Sequence, residues 1–384
     1  MTPLRIGYYF CLPVAMGGVE RHVLALIDHF RSSHHITVFC DAAEAAHPFR
    51  AELSARGLEP RLIRLAGKDW RGVARPLAKN VPEIFRALGA LAPARLDVLH
   101  LHAGRLGLAY APIAAACAAG IPRRVLTVHN TLLQRSRLQR FFEDRALRRL
   151  SRIIAISDEV RDDLARKKTG AREKIIVIPN GIDAAEFQGS DSERRDATAA
   201  LGVPEGSAVV GMVGRLHAMK GADLLIRAAA LIRAGAPQLR VALIGAGPEE
   251  AALKKLAEEL KVSDIVVFAG YRRDARRLMH AFDVLAMPSR QDAQPFSLLE
   301  AMACGKPAVG ANVGGIPGML VDGVTGFLFP AGDFTALAAA LAELLGDPEK
   351  RQAMGRAGRR RVESHFSQAA MLEQTEALYR RPAT

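Results

Sequence analysis

Apolar residues in this chain come in short runs, and the runs form two series. The first series is LRIGYYF (4–10), HITVFCD (35–41), RLIRLA (61–66), DVLHLHA (97–103), RRVLTVHN (123–130), SRIIAIS (151–157) and KIIVIPNGID (174–183). Their cores are nearly continuous in apolar residues rather than alternating. That pattern predicts strands of a sheet covered on both faces. Ala/Leu-rich segments with helical spacing lie between them. In GGVERHVLALIDHF, residues Val19, Val23, Leu26, Ile27 and Phe30 share one helical face.

The second series is AVVGMVGRL (208–216), LRVALIGAG (239–247), IVVFAGY (265–271), DVLAMPS (283–289), KPAVGAN (306–312) and GFLFPAGD (326–333). A polar stretch, residues 187–207, separates the two series and reads as a linker with one short helix. Strand–helix alternation twice over predicts an α/β chain of two doubly wound parallel sheets. The expected domains are residues 1–185 and 186–365, with a C-terminal helix, 366–384, packing back on the first. Ligands of such sheets bind at the carboxyl ends of strands, so the cleft between the domains is the expected site.

Composition adds little to this until charge is considered. The chain has 384 residues, 49% of them apolar, enough for two cores. No apolar run approaches the length of a membrane span. MTPLRIGYYFCLPVAMGG lacks a basic leader and reads as a first strand and loop, not a signal peptide. Cys11, Cys40, Cys117 and Cys304 show no ligand spacing and read as reduced thiols of a cytoplasmic protein. The net charge of +13 is uneven: residues 1–185 hold 29 Lys+Arg against 17 Asp+Glu, and the remainder 24 against 23. The first half is therefore expected to meet something anionic. Nucleic acid is not expected, because there is no zinc pattern, RNP motif or basic–aromatic interleaving. An anionic membrane face or a phosphorylated acceptor fits better.

Candidate chemistry falls where strands end. GRLHAMKG (214–221) sets Arg215 and Lys220 at a strand-to-helix turn, a place suited to a diphosphate. GAGPEE (245–250) is a tight glycine turn without the third glycine of a dinucleotide fingerprint. SRQDAQPFSLLEAMACGKP (289–307) carries Asp292 and Glu300 with seven residues between them. Pro295 suits the first helical position and Gly305 the position after the helix. The amides of Phe296, Ser297 and Leu298 would then lie in the first turn, open to an anion. Carboxylates beside bound phosphate would repel it, so they should instead accept hydrogen bonds from hydroxyls on either side. A ligand with a sugar on one side and a ribose on the other is a nucleotide sugar.

These motifs, with FAGYRRD, GGVERHVLAL, VHN (128–130), IAISDEV, VIPNGID and AMACGKPAVGANVGGIP, resemble in order the family 4 glycosyltransferases. The resemblance spans nearly the whole chain. It implies the GT-B fold, two Rossmann-like domains facing across a cleft, and retaining transfer of a hexosyl group. Carried over, it implies that Arg215 and Lys220 bind the diphosphate and Glu300 the ribose hydroxyls. Asp292 takes the place of a Glu that touches the donor sugar, and His129 lies near the transferred sugar. Gly17 and Gly18 let the first loop approach phosphate and acceptor. Phe296, Ser297 and Leu298 meet sugar and phosphate, and Gly214, Gly245 and Tyr271 complete the nucleotide site. The family often has EGFG or ESFG where this chain has DAQP.

No cofactor or metal is expected. There is no Asp-x-Asp, and His100 and His102 in LHLHA lack further ligands. The donor would be a UDP-sugar or GDP-sugar. The acceptor would be a lipid-linked or polysaccharide-precursor glycan of the bacterial envelope, met on the inner face of the cell membrane. Residues 134–152, rich in Arg, could touch that surface; Leu138, Phe141, Phe142 and Leu150 read better as a core face. Two other classes stay open. A nucleotide-sugar epimerase or hydrolase would need no acceptor. A non-catalytic nucleotide-sugar-binding subunit would be expected to lose the cations or the acids.

Overall fold

The computed structural model describes residues 2–11, 17–41, 48–63, 80–103, 110–130, 141, 144–166 and 170–381. The chain divides into two compact units. One comprises Met1–Asn180 and Ala370–Thr384, the other Gly181–Ala369.

The first unit holds a seven-stranded parallel sheet: β1 (Arg5–Phe10), β2 (His35–Asp41), β3 (Arg61–Ile63), β4 (Val98–Ala103), β5 (Arg123–Val128), β6 (Arg152–Ala155) and β7 (Ile175–Val177). Its order is β3-β2-β1-β4-β5-β6-β7. Every residue of β4 is buried, as expected for a strand covered on both faces. The helix Gly18–Phe30 lays Val23, Leu26, Ile27 and Phe30 on the sheet beside Ile6, Tyr8 and Phe10. The C-terminal helix, Gln368–Arg380, adds Met371, Leu372, Leu378 and Tyr379 to the same core.

The second unit holds six parallel strands: β8 (Ala208–Val213), β9 (Leu239–Ile244), β10 (Val266–Gly270), β11 (Val284–Met287), β12 (Ala308–Ala311) and β13 (Gly326–Phe329). Their order is β10-β9-β8-β11-β12-β13. Side chains alternate between two cores, one on each face. Along β11, Leu285 and Met287 join one, and Val284 and Ala286 the other. This alternation of two apolar sets is why the sequence shows an unbroken run.

Two readings change in detail. Residues 187–207, read as a linker with one short helix, contain that helix and pack it onto the second unit. Ser190 and Glu193 form a reciprocal cap on the helix Asp191–Ala200. Ala197, Leu201 and Val203 then bury against Leu278, Met279 and Phe282, and Arg194 pairs with Asp283 at 3.0 Å. The units also divide at 180/181 and 369/370 rather than at 185/186 and 365/366. Ile182 is the reason: its N–H donates to Phe366 O at 2.9 Å, and its carbonyl accepts from Gln368 N at 3.1 Å. That stitches 181–187 into the second unit. In the Arg-rich segment Leu150 is buried and Phe141 exposed; Leu138 and Phe142 lie outside the described residues. Among the described residues, no helix is long and apolar enough to cross a membrane.

Tyr379 ties the chain's last helix to the first sheet. It is fully buried, and its hydroxyl meets His100 Nδ1 at 2.5 Å. Tyr379→Ala should cost about 3–5 kcal/mol through the cavity and the orphaned histidine nitrogen. Urea unfolding measures it; a loss below 1 kcal/mol would mean the helix does not hold the first unit.

Candidate functional site

Both sheets reverse their order at one place, β1/β4 in the first and β8/β11 in the second. Loops leaving neighbouring strands there diverge, which opens a crevice at the strands' carboxyl ends. Most predicted site residues follow the strands at these reversals; Gly245, Tyr271 and His129 follow the flanking strands β9, β10 and β5.

In the second unit, β8 runs into a turn over residues 214–221 before the helix Ala222–Ile232. The turn is held along the loop after β9. Gly214 N donates to Ile244 O at 3.0 Å, and Leu216 N to Ala246 O at 3.1 Å. Gly245 has φ 145°, and a Cβ there would overlap Gly214 O. Only glycine lets the two loops run together. Lys220 ends a single 3₁₀ turn, and Gly221, at φ 70°, redirects the chain into the helix. A Cβ on Gly221 would overlap Pro288 O, so the loop after β8 lies directly against the loop after β11.

That second loop delivers Asp292. Arg290 staples it in place, pairing with Asp223 at 2.8 and 2.7 Å and with Ala218 O at 2.7 Å. Lys220 Nζ then meets Asp292 Oδ2 at 2.5 Å, and Ser289 Oγ donates to the same oxygen at 3.2 Å. The pair is not sealed: the side chains are 30% and 12% exposed. Arg215 is exposed; its carbonyl accepts from His217 N at 2.9 Å, and its guanidinium makes no hydrogen bond or ion pair among the described residues.

The helix Phe296–Ala303 follows. Pro295, at ψ 125°, is extended and stands at the N-cap rather than inside the helix. The first turn is tight: Leu298 N donates to Pro295 O at 3.2 Å. Of the three amides expected to be open, Leu298's is therefore taken, and its side chain lies in the core. The amides of Phe296 and Ser297 make no hydrogen bond among the described residues. Glu300 is 1% exposed and accepts from Arg276 Nε at 3.1 Å. Arg276 lies over the Phe187 ring and also reaches Glu186 at 3.3 Å. Tyr271, after β10, is exposed.

In the first unit, Gly17 caps the helix Gly18–Phe30 and its N–H donates to Glu20 Oε2 at 3.0 Å. His22, buried on that helix, meets Asn180 Oδ1 through Nδ1 at 3.0 Å. Its ring lies 5.2 Å from that of His129, which follows β5. His129 Nε2 in turn meets His102 Nδ1 at 3.2 Å. Burial lowers all four histidines. It pushes His22 down to about 4, against the Asn180 hydrogen bond, and holds His100, His102 and His129 well below the usual range.

The structure thus joins Lys220 to Asp292, and joins the helix that begins at Gly18, through His22, to His129. Sequence reasoning missed Ser289, Arg290, Arg276, His22 and Asn180. Arg276 is one of four arginines in YRRDARRL, with nothing in its local pattern to single it out. His102 drew attention only as a metal ligand. Its real partner is another histidine.

Residues 193–361 match the family model Glycosyl transferases group 1, and residues 16–186 match Glycosyltransferase Family 4. A D-inositol 3-phosphate glycosyltransferase of Kribbella flavida is 30% identical over 347 residues, 84% of this chain and 80% of that protein. The Saccharomonospora viridis protein of the same name matches at 32%, over 62% of this chain and 56% of its own length. The GDP-mannose-dependent alpha-(1-6)-phosphatidylinositol monomannoside mannosyltransferase of Mycolicibacterium smegmatis is 28% identical over 90% of each chain. The solved structure of Anabaena HepE in complex with UDP-glucose superposes with a TM-score of 0.82 at 23% identity, covering 97% of this chain and 99% of HepE. At that identity the likeness establishes the fold, which is GT-B.

The buried histidines make stability depend on pH. Each is neutral when folded, with its pKa below the unfolded 6.5, so below 6.5 the unfolded chain binds more protons. The contribution is complete above pH 6.5 and is lost as pH falls toward 4. For His22 alone it is about 3 kcal/mol. Denaturation midpoints between pH 8 and pH 4.5 should fall, and His22→Gln should flatten the slope. A midpoint independent of pH over that range would refute the buried neutral cluster.

Proposed function

The chain belongs to the family 4 glycosyltransferases, and from that premise we propose that it moves a sugar, with retention, from a UDP- or GDP-sugar to a lipid-linked or polysaccharide-precursor glycan. The observation that carries this reading is the Lys220–Asp292 contact. A nucleotide sugar joins its sugar to phosphate through one anomeric oxygen. A site that takes both needs a cation for phosphate and a hydroxyl acceptor within a few ångströms of each other. Lys220 and Asp292 supply that pair. Without donor the two neutralise one another, and an incoming diphosphate would take over Lys220 and leave Asp292 to the sugar's hydroxyls. Arg215, exposed and unpaired among the described residues, is the second cation. The two open amides at Phe296 and Ser297 add donors of the helix start.

Glu300 would hold the ribose, exchanging part of its Arg276 contact for hydroxyls. Gly214, Gly245 and Tyr271 complete the nucleotide side. His129, with Gly17 and Gly18, belongs to the sugar and acceptor side. The work of the site is stabilisation of the departing diphosphate by Arg215 and Lys220 in place of a metal ion. That fits a relative named for GDP-mannose and a solved fold neighbour holding UDP-glucose, and it leaves base and sugar open.

Radiolabelled UDP- and GDP-sugars, offered with and without lipid-linked acceptors in excess EDTA, test the reaction. Donor hydrolysis that ignores every acceptor, or activity only with added Mg²⁺, would sink it. In the same assay Lys220→Ala and Arg215→Ala should each lower turnover by about 100- to 1000-fold while keeping the melting temperature. Calorimetry with the bare nucleoside diphosphate should separate the acids. Glu300→Gln weakens binding, whereas Asp292→Asn leaves it unchanged or a few-fold tighter, since it releases Lys220. Equal weakening in both would mean the roles are misassigned.

The acceptor side carries the charge. Residues 1–185 hold an excess of 12 positive charges (29 Lys+Arg, 17 Asp+Glu), and we place this half against an anionic leaflet on the cytoplasmic side. Each basic residue near such a surface contributes roughly 1 kcal/mol, and the Debye length falls from about 10 Å at 0.1 M salt to about 3 Å at 1 M. The protein should sediment with phosphatidylglycerol vesicles at low salt and be released at 1 M. Indifference to anionic vesicles at low salt would reduce the asymmetry to composition.

A further inference from the structure

The strand pair LHLHA and RRVLTVHN puts a second histidine behind the one assigned to the sugar. β4 and β5 pair in parallel with His102 opposite Thr127 and Ala103 opposite Val128. His129 N–H donates to Ala103 O at 2.9 Å, extending the ladder one step past β5. His129's backbone is therefore fixed to the end of β4. His100 and His102, two apart on that strand, point to the same face, with rings 4.2 Å apart. Both are fully buried. His100 uses both nitrogens, Nδ1 toward Tyr379 and Nε2 toward Thr127 Oγ1 at 2.7 Å. His102 uses one: Nδ1 meets His129 Nε2 at 3.2 Å, and its Nε2 is buried with no partner among the described residues.

That asymmetry fixes where the protons sit. A neutral imidazole carries one N–H and one lone pair. If His102 carried its proton on Nε2, a fully buried N–H would have no acceptor, an arrangement rare in folded proteins. With the proton on Nδ1, the donor is satisfied by His129 Nε2 and only a lone pair is left over. His129 Nε2 is then the acceptor, so His129's own proton must be on Nδ1. That nitrogen makes no hydrogen bond among the described residues, and the residue is only half-buried. His22 packs edge-on against both rings, at 5.2 and 5.5 Å, and limits their rotation.

We propose that His102 is a positioning residue that locks His129 in its Nδ1–H tautomer, so that His129 offers the sugar or acceptor a hydrogen-bond donor and not a base. The claim rests on the reading of His129 as a sugar-side residue. Its consequence is specific: His129 cannot take the acceptor's hydroxyl proton, so that proton must leave by another route, the departing phosphate oxygen being the available acceptor. Low histidine pKa values in this cluster agree with neutral rings at pH 7.

Nitrogen-15 NMR of the histidine-labelled full chain reads the tautomer directly, whether or not turnover is known. Wild-type His129 should show its proton on Nδ1, and His102→Ala should mix the two forms. In the transfer assay, with whichever of UDP-glucose or GDP-mannose serves as donor, His102→Ala should lower kcat about tenfold, the scale of one lost hydrogen bond. Binding of the free nucleoside diphosphate should not change. His102→Asn keeps an amide N–H near the Nδ1 position and should recover to within about threefold. Adding His102→Ala to His129→Ala should cost nothing further. A wild-type His129 proton on Nε2, equal activity of the Ala and Asn variants, or additive losses would each overturn the proposal. Full activity of His129→Ala would instead remove His129 from the sugar site, and the NMR result would still decide what His102 does.

Discussion

A parallel strand cannot be followed by its neighbour without a crossover, and the hand of that crossover is fixed. In both sheets of this chain the order grows outward from one strand in one direction and then in the other. Where growth reverses, at β1/β4 and at β8/β11, the following loops leave toward opposite faces. Most of the candidate chemistry depends on that divergence. The 214–221 turn comes from one side of the second reversal and the Asp292 loop from the other. The Gly18–Phe30 helix follows β1, while His102 and His129 follow from β4 and β5. A sheet built in simple sequential order would have no such opening, however good the motifs.

Close backbone approach then sets distances that side chains alone could not. Gly245 lets the loop after β9 lie on the loop after β8, and Gly221 lets the loop after β8 lie on the loop after β11. With the loops in contact, a lysine and an aspartate far apart in sequence meet at 2.5 Å. The same economy of charge holds at Glu300, which is almost fully buried and faces Arg276. A buried carboxylate without a partner would be strongly destabilising, whereas one paired with a half-exposed guanidinium keeps its charge and can still exchange partners. Pairing acids with cations in the free protein lets both kinds of group stand ready in one small region.

Much of this was legible in the sequence because the physics that writes strands is local. VLAM is apolar on both faces and VLHLH is buried on both, with its two histidines on one of them, and no helix pattern competes. The cations and acids were legible too, since strand-end turns are short. What was not legible falls into two kinds. Residues 187–207 look polar because Phe187, Ala197, Leu201 and Val203 alone among them join the core, and four residues do not outweigh a run of charges. The first-turn amides were miscounted because the tightness of the turn after Pro295, which takes up Leu298's N–H, depends on ψ at one proline and not on composition. The second kind is contact between distant positions. His22, His102, His129 and Asn180 come from a helix, a strand and two strand-end loops. Nothing in any one of those segments names the others.

The histidine cluster also shows which force decided its own protonation. Four imidazoles close together in a buried place would, if charged, face both desolvation and mutual repulsion, and the two act in the same direction. Neutral rings remove both costs but create a new one, since each ring must then find a place for a single N–H. Asn180 and His129 each provide that place for one neighbour, and Thr127 and Tyr379 serve the two nitrogens of His100. The cluster is therefore solved as a directed set of hydrogen bonds, and a directed set has two ends. One is buried, at the unused nitrogens of His22 and His102. The other is at His129, the half-buried member, whose Nδ1 makes no hydrogen bond among the described residues and, in the tautomer proposed, carries the last N–H.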